Sequence, residues 1–295
     1  MTLEQLRVFV AVAERQHVTR AAEALHLAQS AASAAVAALE QRHGTQLFHR
    51  VGRGIELTEA GRLFLPEARA VLARVAAAEQ MLRELAGVQR GSLAVQASQT
   101  IASYWLPRHL ARFRRSHPGV DIRLGVGNTA HVVSSVRGGA AEIGFIEGEV
   151  DAEGLVVTTV AHDQLVVVVG AEHPWREAPP QNAAQLLEAD WVLREPGSGT
   201  RSVFEAALRE HGLSPEALTV ALELPSNEAV RAAVEAGLGA TALSASVAAP
   251  GLEAERLRLV PFPLPQRAFQ VVYHARRPPS AAARALLDLV QRPRG

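Results

Sequence analysis

Hydroxyl and amide side chains collect where strand-forming sequence gives way to helix-forming sequence. Ser98, Gln99 and Thr100 follow one predicted strand, and Asn128 and Thr129 follow the next. At such a junction the hydroxyls stand beside the unpaired backbone N–H groups of a helix N-terminus, which favours an anion or a carboxylate. The pattern therefore predicts a small-molecule site at this sheet edge, with plain helix capping as the alternative.

A glycine-rich loop, Pro196–Arg201, opens a helix further along the chain. It contributes four candidate ligand-binding residues: Ser198, Gly199, Thr200 and Arg201. Such a loop can bring its backbone N–H groups close to an anion, because glycine has no side chain to hold the ligand away. Here too the alternative is that Ser198 or Thr200 only caps the helix.

Two neighbouring junctions add three candidates. Ser226 and Asn227 begin a later helix, and Glu147 ends a third strand. The hydroxyl-rich loops favour a small anionic metabolite, whereas the carboxylate of Glu147 could select an amine. The residues themselves therefore leave the charge of the ligand open.

None of these residues forms a catalytic constellation. The chain has no cysteine and no H-E-x-x-H motif, and its 11 histidines are scattered, so thiolate metal sites are excluded and a zinc site is not indicated. Pro196 and Thr200 occupy the glycine positions of a nucleophile elbow. The segment Gly125–Ala130 matches a dinucleotide-binding pattern, but a lone match after the second strand of a domain is weak. We therefore predict no enzyme, no cofactor and no metal.

Bulk properties bound the class of protein. The 295 residues suffice for two or three domains, and the formal net charge of zero argues neither for nor against nucleic acid. The N-terminal residues lack the basic region and apolar run of a secretory signal. No stretch reaches the roughly 18 to 20 uncharged apolar residues of a membrane span. We expect a cytoplasmic protein without a membrane partner.

Short amphipathic helices are predicted over the first part of the chain. Apolar residues recur at helical spacing from Leu6 to Ala13. A second helix is expected to begin at Thr19, with its hydroxyl as the N-cap, and a third to cover Gln29–Gln41. Two short helices joined by three or four residues form a helix-turn-helix candidate. The alternating segment Leu47–Leu57 then predicts a β-hairpin around a glycine turn.

A long helix is predicted from Thr58 to Ala86, with Pro66 tolerable only near its first turns. Its apolar residues form one stripe that has no obvious partner within the chain, which favours pairing between two chains. The residues assigned to this dimerisation seam are Leu65, Leu72, Val75 and Leu82.

From residue 91 onward, strands and helices alternate, which is the pattern of an α/β domain with largely parallel sheets. The predicted strands are Ser92–Ala97, Val120–Val126, Glu142–Ile146, Leu165–Val169, Trp191–Leu193, Ala240–Leu243 and Phe269–Tyr273. Helix caps are expected at Thr100, at Ser198 or Thr200, and at Ser226.

An ordered set of matches makes the chain resemble the LysR-type transcriptional regulators over essentially its whole length. The segments that carry this resemblance are Phe9–Glu14, Thr19–Leu25, Gln29–Ser33, Leu39–Glu40, Leu47–Arg50 and Leu57–Gly61. The phrases Ser98–Ile101, Phe145–Gly148 and Arg194–Arg201 are similar to those of regulators of sulfur assimilation and carbon fixation. The chain departs from the family at Ala28, where Ser or Thr commonly caps the recognition helix.

The resemblance implies a multidomain α+β architecture. A winged helix-turn-helix would cover residues 1–58, and a linker and dimerisation helix residues 59–90. A two-lobed effector domain like a type 2 periplasmic binding protein would cover residues 91–295. Its lobe I would comprise residues 91–161 and 267–295, and its lobe II residues 162–266.

The resemblance also implies how the head contacts DNA. Gln29, Ser30 and Ser33 open the recognition helix and would face base edges in the major groove. Thr19 and Arg20 would contact phosphates.

Arg50 and Arg53 would reach phosphate or the minor groove from the wing.

The expected partners follow from this assignment. They are a partly palindromic duplex DNA, a small-molecule effector bound between the lobes, and a second copy of the chain in a dimer or tetramer, with RNA polymerase as a further candidate. The alternative is a periplasmic-type solute-binding receptor without a regulatory role, which the α/β half alone would permit.

Overall fold

The computed structural model describes residues 1–51, 54–85 and 91–291. The chain divides into two compact units, one of Met1–Val88 with Gly138–Ala140 and the other of Gln89–Arg137 with Ala141–Gly295. Among the described residues, none of the helices combines the length and the apolar character that a membrane span requires.

Three helices form the N-terminal head: α1 (Leu3–Arg15), α2 (Val18–Ala24) and α3 (Gln29–His43). The helix α1 begins with a reciprocal capping box between Thr2 and Gln5. Phe9 is fully buried, and its ring centroid lies 5.4 Å from that of Phe48 and 5.1 Å from that of Phe64. These aromatic contacts hold the helices against the wing and the long helix.

The predicted cap of α2 at Thr19 is wrong. The helix begins at Val18, and its N-cap is His17, which has extended backbone angles and whose Nδ1 accepts from the backbone N–H of Arg20 at 3.4 Å. Thr19 is therefore inside the first helical turn and exposed. The turn after α2 includes His26, which has a φ of 56°.

The wing is the antiparallel hairpin of β1 (Phe48–Val51) and β2 (Gly54–Leu57), in which Phe48 pairs with Leu57. Glu40 of α3 fixes the entry to the hairpin, because its Oε1 accepts from the backbone N–H groups of Leu47 at 2.7 Å and Phe48 at 3.0 Å. The base of the wing is thus tied to the recognition helix.

The long helix α4 runs over Glu59–Leu85 and contains Pro66, so the proline lies further inside than the first turns. Arg69 joins α4 to α1 through an ion pair with Glu14, with Nη2 and Oε1 2.9 Å apart. Gly61 allows a close approach to the wing, since a Cβ there would lie 2.1 Å from the carbonyl oxygen of Leu47.

Nine strands form the sheet of the second unit, as far as the structure describes it. Their order is β4-β3-β5-β11-β6-β9-β7-β8, and β10 pairs with β6. The strands are β3 (Gly91–Ser98), β4 (Val120–Gly127), β5 (Ile143–Glu147), β6 (Leu155–Gly170), β7 (Asp190–Arg194), β8 (Thr219–Leu224), β9 (Ala240–Ser244), β10 (Leu257–Val260) and β11 (Gln266–His274).

Each predicted strand lies within or overlaps an observed one, but β8 and β10 were not predicted. The expectation of largely parallel sheets is wrong in part. Strand β3 is parallel to β4 and β5, and β7 is parallel to β8 and β9, whereas every pair made by β6 or β11 is antiparallel. The sheet is mixed because β6 and β11 carry the chain between the two lobes in opposite directions.

Helices cover the sheet. They are α5 (Leu106–Ser116), which a π-helical turn over Ile101–Trp105 precedes, α6 (Thr129–Arg137), α7 (Gly199–Glu210), α8 (Asn227–Glu235), α9 (Ala245–Glu253) and α10 (Ala281–Gln291). Lobe I has a core around Phe113 and Phe145, and lobe II has one around Trp191 and Phe204.

Strand β6 passes through both lobes without interruption. Its residues 155–159 and 161–164 pair with β11 in lobe I, with a register shift at Val160, and its residues 165–169 pair with β9 in lobe II. Together β6 and β11 bring the starts of α6, α7 and α8 to one interlobe cleft, whose contacts are described next.

Candidate effector site and DNA-binding head

Buried hydroxyls mark the junction between the lobes. Each is at most 5 % exposed, and each was predicted from its place between strand and helix. They belong to Ser98, Thr100, Thr129, Ser198 and Thr200. The structure thus brings these five predicted residues into one buried polar region.

Arg267, at the start of β11, is the centre of that region and is 3 % exposed. Its Nη1 donates to Oγ1 of Thr200 at 2.9 Å, and its Nη2 donates to Oγ1 of Thr100 at 3.4 Å. Thr100 belongs to lobe I and Thr200 to lobe II. One guanidinium therefore contacts hydroxyls of both lobes at the base of the cleft.

Asp163 of β6 neutralises Arg267. Its Oδ2 lies 2.7 Å from Nη2 and 2.9 Å from Nε of Arg267, and its Oδ1 accepts from the hydroxyl of Ser244 at 2.8 Å. All three side chains are almost fully buried. This ion pair joins the two strands that connect the lobes.

Glu147, at the end of β5, is 2 % exposed. Its Oε2 accepts from the hydroxyl of Ser98, and its Oε1 lies 3.8 Å from Nη1 of Arg267. Its backbone carbonyl accepts from Oγ1 of Thr129 at 2.9 Å. A carboxylate therefore stands within the hydroxyl-lined region.

Gly199 lies directly against this edge of lobe I. A Cβ at position 199 would come within 2.1 Å of the carbonyl oxygen of Glu147 and 2.6 Å of Oγ1 of Thr129. Only glycine allows lobe II to approach so closely. The N-terminus of α7 consequently faces the ends of β5 and α6.

The N-terminus of α7 lacks a side-chain cap. Ser198 is its N-cap residue and has extended backbone angles, but its hydroxyl makes no capping hydrogen bond. The first backbone N–H groups of a helix have no acceptor within the helix. The first turn of α7 therefore receives no acceptor from the side chain of its own N-cap residue.

A second polar relay crosses the cleft. Nδ2 of Asn128 in lobe I donates to Oε1 of Glu195 in lobe II at 3.1 Å, and Glu195 also pairs with Nε of Arg194 at 2.8 Å. Burial raises the pKa of Glu195, but the hydrogen bonds and charge of Arg194 outweigh it, so that pKa is below its usual value. Asn128 was predicted, whereas Arg194 and Glu195 were not.

Gln99 bridges the lobes through its side-chain amide. Its Nε2 donates to the carbonyl oxygen of Pro225 at 2.7 Å, and its Oε1 accepts from the backbone N–H of Asn227 at 3.0 Å. Asn227 also donates through Nδ2 to Oγ1 of Thr100 at 3.0 Å. These predicted residues therefore meet across the cleft.

Two predicted ligand-binding residues have other contacts. Ser226 caps α8, with its hydroxyl accepting from the backbone N–H of Ala229 at 3.0 Å. The guanidinium of Arg201 binds Glu205 at 2.7 Å and Glu223 at 2.9 Å, and these bonds outweigh desolvation to raise the pKa of Arg201. The structure does not bring Arg201 into the polar region around Arg267.

Sequence reasoning missed Arg267, Asp163, Ser244, Arg194 and Glu195. For Arg267 a local signal exists, because it is in phase with Phe269 and Val271 on the buried side of β11. A charged residue on an otherwise apolar strand face needs a buried partner. That partner, Asp163, is 104 residues away in sequence, so the chain alone does not reveal the pair.

The recognition helix presents a polar first turn. Gln29 and Ser30 are exposed, Ser33 is half-buried, and Nε2 of Gln29 donates to Oγ of Ser33 at 3.0 Å. Ala28 occupies the N-cap position without a side-chain bond.

Arg20 is exposed on α2, like its neighbour Thr19. Arg50 lies in β1, and Arg53 lies outside the described residues.

The predicted dimerisation residues differ in their surroundings. Leu65 and Leu72 pack against the core of the head, and Val75 is half-buried. Leu82 is 68 % exposed, and it is therefore an unpartnered apolar side chain within the described part of its unit.

The comparisons with known proteins agree with this division. Residues 3–62 match the bacterial regulatory helix-turn-helix of the lysR family, and residues 86–293 match the LysR substrate binding domain. The Escherichia coli transcriptional regulator YeiE is 38 % identical over 98 % of this chain and 96 % of its own. The RuBisCO operon transcriptional regulator of Allochromatium vinosum is 35 % identical over 98 % and 95 %.

Among solved structures, the regulatory domain of CcmR from Synechocystis has the same fold, with a TM-score of 0.62 and 24 % identity over 68 % of this chain and 96 % of that one. The helix-turn-helix match rules out the solute-receptor alternative. The chain belongs to the LysR family: it is a DNA-binding transcriptional regulator and not an enzyme, and it carries a domain for a small-molecule effector.

Proposed function

We propose that the effector is a small anionic metabolite and that it binds between the two lobes of the effector domain. The proposed ligand-binding residues are Ser98, Gln99, Thr100, Asn128, Thr129, Glu147, Ser198, Gly199, Thr200 and Asn227, joined by Arg267. Ser226 would contribute to the site by capping α8. Arg201 is not included, because its guanidinium binds Glu205 and Glu223.

The observation that carries this proposal is the uncapped N-terminus of α7 beside the buried Ser198 hydroxyl. Helix N-termini attract negative charge through free N–H groups and the helix dipole. The starts of α6 and α8 lie near the same cleft, as the contacts of Thr129 and Asn227 show. Hydroxyls and N–H groups can bind an oxyanion without any additional net charge.

Related proteins support an anion of this kind. The CcmR regulatory domain was solved in complex with 2-PG, that is, 2-phosphoglycolate. Several relatives regulate the RuBisCO operon. A phosphorylated carboxylic acid is therefore among the first effectors to test.

We further propose the domain limits given above: residues 1–58 for the winged head, 59–90 for the dimerisation helix and 91–295 for the effector domain. Gln29, Ser30 and Ser33 would read bases, while Thr19, Arg20, Arg50 and Arg53 would contact the DNA backbone or the minor groove. A symmetric dimer would bind a partly palindromic operator.

Regulation would then be a shift between two populations of the effector domain. A ligand that binds both lobes favours one interlobe angle, and the differential affinity for the two angles sets the size of the shift. The contacts of Gln99 and Arg267 supply the interlobe bonds that a ligand would strengthen or replace.

Isothermal titration calorimetry on the full chain tests the anion. The panel is sulfate, thiosulfate, phosphoenolpyruvate, 2-phosphoglycolate and acetate. We expect at least one to bind, and Thr200→Val to weaken it about tenfold, because a hydrogen bond to a charged group contributes roughly 1.5–3 kcal/mol. The exposed Thr219→Val is the control. The proposal is wrong if nothing on the panel binds or if both variants bind as the parent does.

A further inference from the structure

We infer that Glu147 makes this site selective for anions that carry their own hydrogen-bond donor, such as hydrogen phosphate, a phosphate monoester that keeps its proton, or a hydroxy acid. The inference rests on the proposed anion site and names the class of ligand that fits it. Anions whose oxygens are all acceptors, such as sulfate, would bind more weakly.

The position of Glu147 is the first step. Its carboxylate is buried, accepts from the hydroxyl of Ser98 and lies 3.8 Å from Arg267, whose same nitrogen donates to Thr200. Its backbone carbonyl oxygen lies against the start of α7, since a Cβ atom at Gly199 would come within 2.1 Å of it. A ligand at the uncapped N-terminus of α7 would therefore meet this side chain.

The charge balance is the second step. Arg267 lies 3.8 Å from Glu147, but Asp163 holds the same guanidinium much closer, at 2.7 Å and 2.9 Å. Arg194 is likewise taken by Glu195 at 2.8 Å. The negative charge of Glu147 is thus only partly balanced by the described residues around it.

The chemistry of the carboxylate is the third step. An ionised carboxylate accepts hydrogen bonds and donates none. A sulfate oxygen placed against it would add a second acceptor and a second negative charge, with no proton between them and little water to screen them. A P–OH, a hydroxyl or an ammonium group would instead donate to Glu147, while the remaining ligand oxygens accept from the N–H groups of α7.

Two matched pairs of probes test this on the full chain at neutral pH and constant ionic strength. Inorganic phosphate is compared with sulfate, and glycolate with acetate. In each pair the first member carries a donor that the second lacks. We expect calorimetry to give at least a tenfold tighter Kd for phosphate than for sulfate, and a clear preference for glycolate over acetate.

The variant Glu147→Gln keeps the size of the side chain but adds an N–H donor and removes the charge. We expect the variant to bind sulfate about tenfold more tightly than the parent does, and the preference for phosphate to shrink or invert. Gln99→Ala is the matched control, since it should weaken both anions alike. A merely structural role for Glu147 would weaken both as well.

A measurement on the unaltered chain keeps the test valid if the variant does not fold. The affinity for methyl phosphate should fall as the pH rises through about 6, where a phosphate monoester loses its last P–OH donor, while the sulfate affinity stays flat. The charged groups that face Glu147 are Arg267 and, behind it, Asp163.

The outcomes separate the two claims. Equal binding of phosphate and sulfate would overturn the role of Glu147 and leave the anion site standing. Failure of every probe to bind would overturn both. A preference for sulfate in the unaltered chain would contradict the inference directly.

Discussion

Arg267 and Asp163 form a buried ion pair that joins the two strands connecting the lobes, with Nη2 of Arg267 2.7 Å from Oδ2 of Asp163. The side chains are 1 % and 7 % exposed. The same guanidinium contacts Thr100 and Thr200. The pair therefore fixes the guanidinium of Arg267 at the place where both lobes meet.

Asp163→Asn should reduce the free energy of unfolding of the effector domain by about 3–5 kcal/mol, because it removes the nearer counter-charge of a buried arginine and leaves only Glu147, at 3.8 Å. Urea unfolding followed by tryptophan fluorescence measures this, since Trp105, Trp175 and Trp191 all belong to that unit. The control is Asp121→Asn.

Asp121 pairs with Arg123 at 3.4 Å, but the two side chains are 69 % and 75 % exposed. Loss of such a surface pair should change the unfolding free energy by less than about 1 kcal/mol. Equal losses in the two variants would show that the buried pair is not a stability determinant.

Glu195 should contribute to acid sensitivity. Its pKa in the folded chain is below the ordinary value of 4.5, because the hydrogen bonds and charge of Arg194 outweigh the effect of burial. A carboxyl group with a lowered pKa stabilises the fold above its unfolded pKa, and this contribution is lost as the pH falls through the folded value.

We therefore expect Glu195→Gln to have a shallower loss of stability below pH 4.5 than the parent chain. Urea midpoints across that range measure it. The exposed Glu172→Gln serves as the control and should follow the parent curve. Identical acid profiles for all three proteins would show that the Asn128–Glu195–Arg194 relay has no part in acid unfolding.

Gln29→Ala should lower discrimination between operator and scrambled DNA by about 1–3 kcal/mol, since a bidentate contact to adenine would be lost. Arg20→Ala should instead weaken binding to both duplexes and reduce the salt slope by about one. Fluorescence anisotropy with DNA from the upstream region measures both.

Arg176→Ala, in the effector unit, is the control for the loss of an exposed arginine. If Gln29→Ala weakens operator and scrambled DNA equally, Gln29 does not read bases. If the salt slope of Arg20→Ala equals that of the parent, Arg20 makes no phosphate contact.

Leu82→Asp should split the oligomer, because it places a charge on an apolar side chain that is 68 % exposed in the single chain. Sedimentation velocity reports the change in mass. Leu82 is a cleaner test than Leu72, which also packs against the core of the head. Leu259→Asp is the control, being 57 % exposed on β10, and an unchanged oligomer for Leu82→Asp would contradict the assignment.

Local periodicity predicted most of the fold. The helices of the head, the wing and all seven proposed strands were found because each depends on the spacing of neighbouring apolar residues. The edge strand β8 was not predicted, because its residues before Leu224 are exposed and apolar and polar side chains alternate only weakly along it. The cap of α2 was misplaced because a histidine, and not the threonine two residues later, has the extended backbone.

The candidate site was predictable only in part, for a related reason. Hydroxyls at a strand end or a helix start, such as those of Ser98 and Thr200, can be identified from the local sequence. The groups that organise them cannot, because Arg267 and Asp163 are distant in sequence and neither belongs to a recognisable motif. Their juxtaposition exists only once β6 and β11 are paired.

Because β6 is one continuous strand, it limits how an effector could change the angle between the lobes. At about 3.3 Å per residue, its 16 residues form a strand of roughly 50 Å that runs through both lobes. Under the proposed mechanism, the lobes would therefore reorient by twisting a hydrogen-bonded ribbon and not by swinging on a loose linker. Ligand binding would then change the interlobe angle by a small elastic deformation without any unfolding, and a stiffer ribbon would give a smaller change.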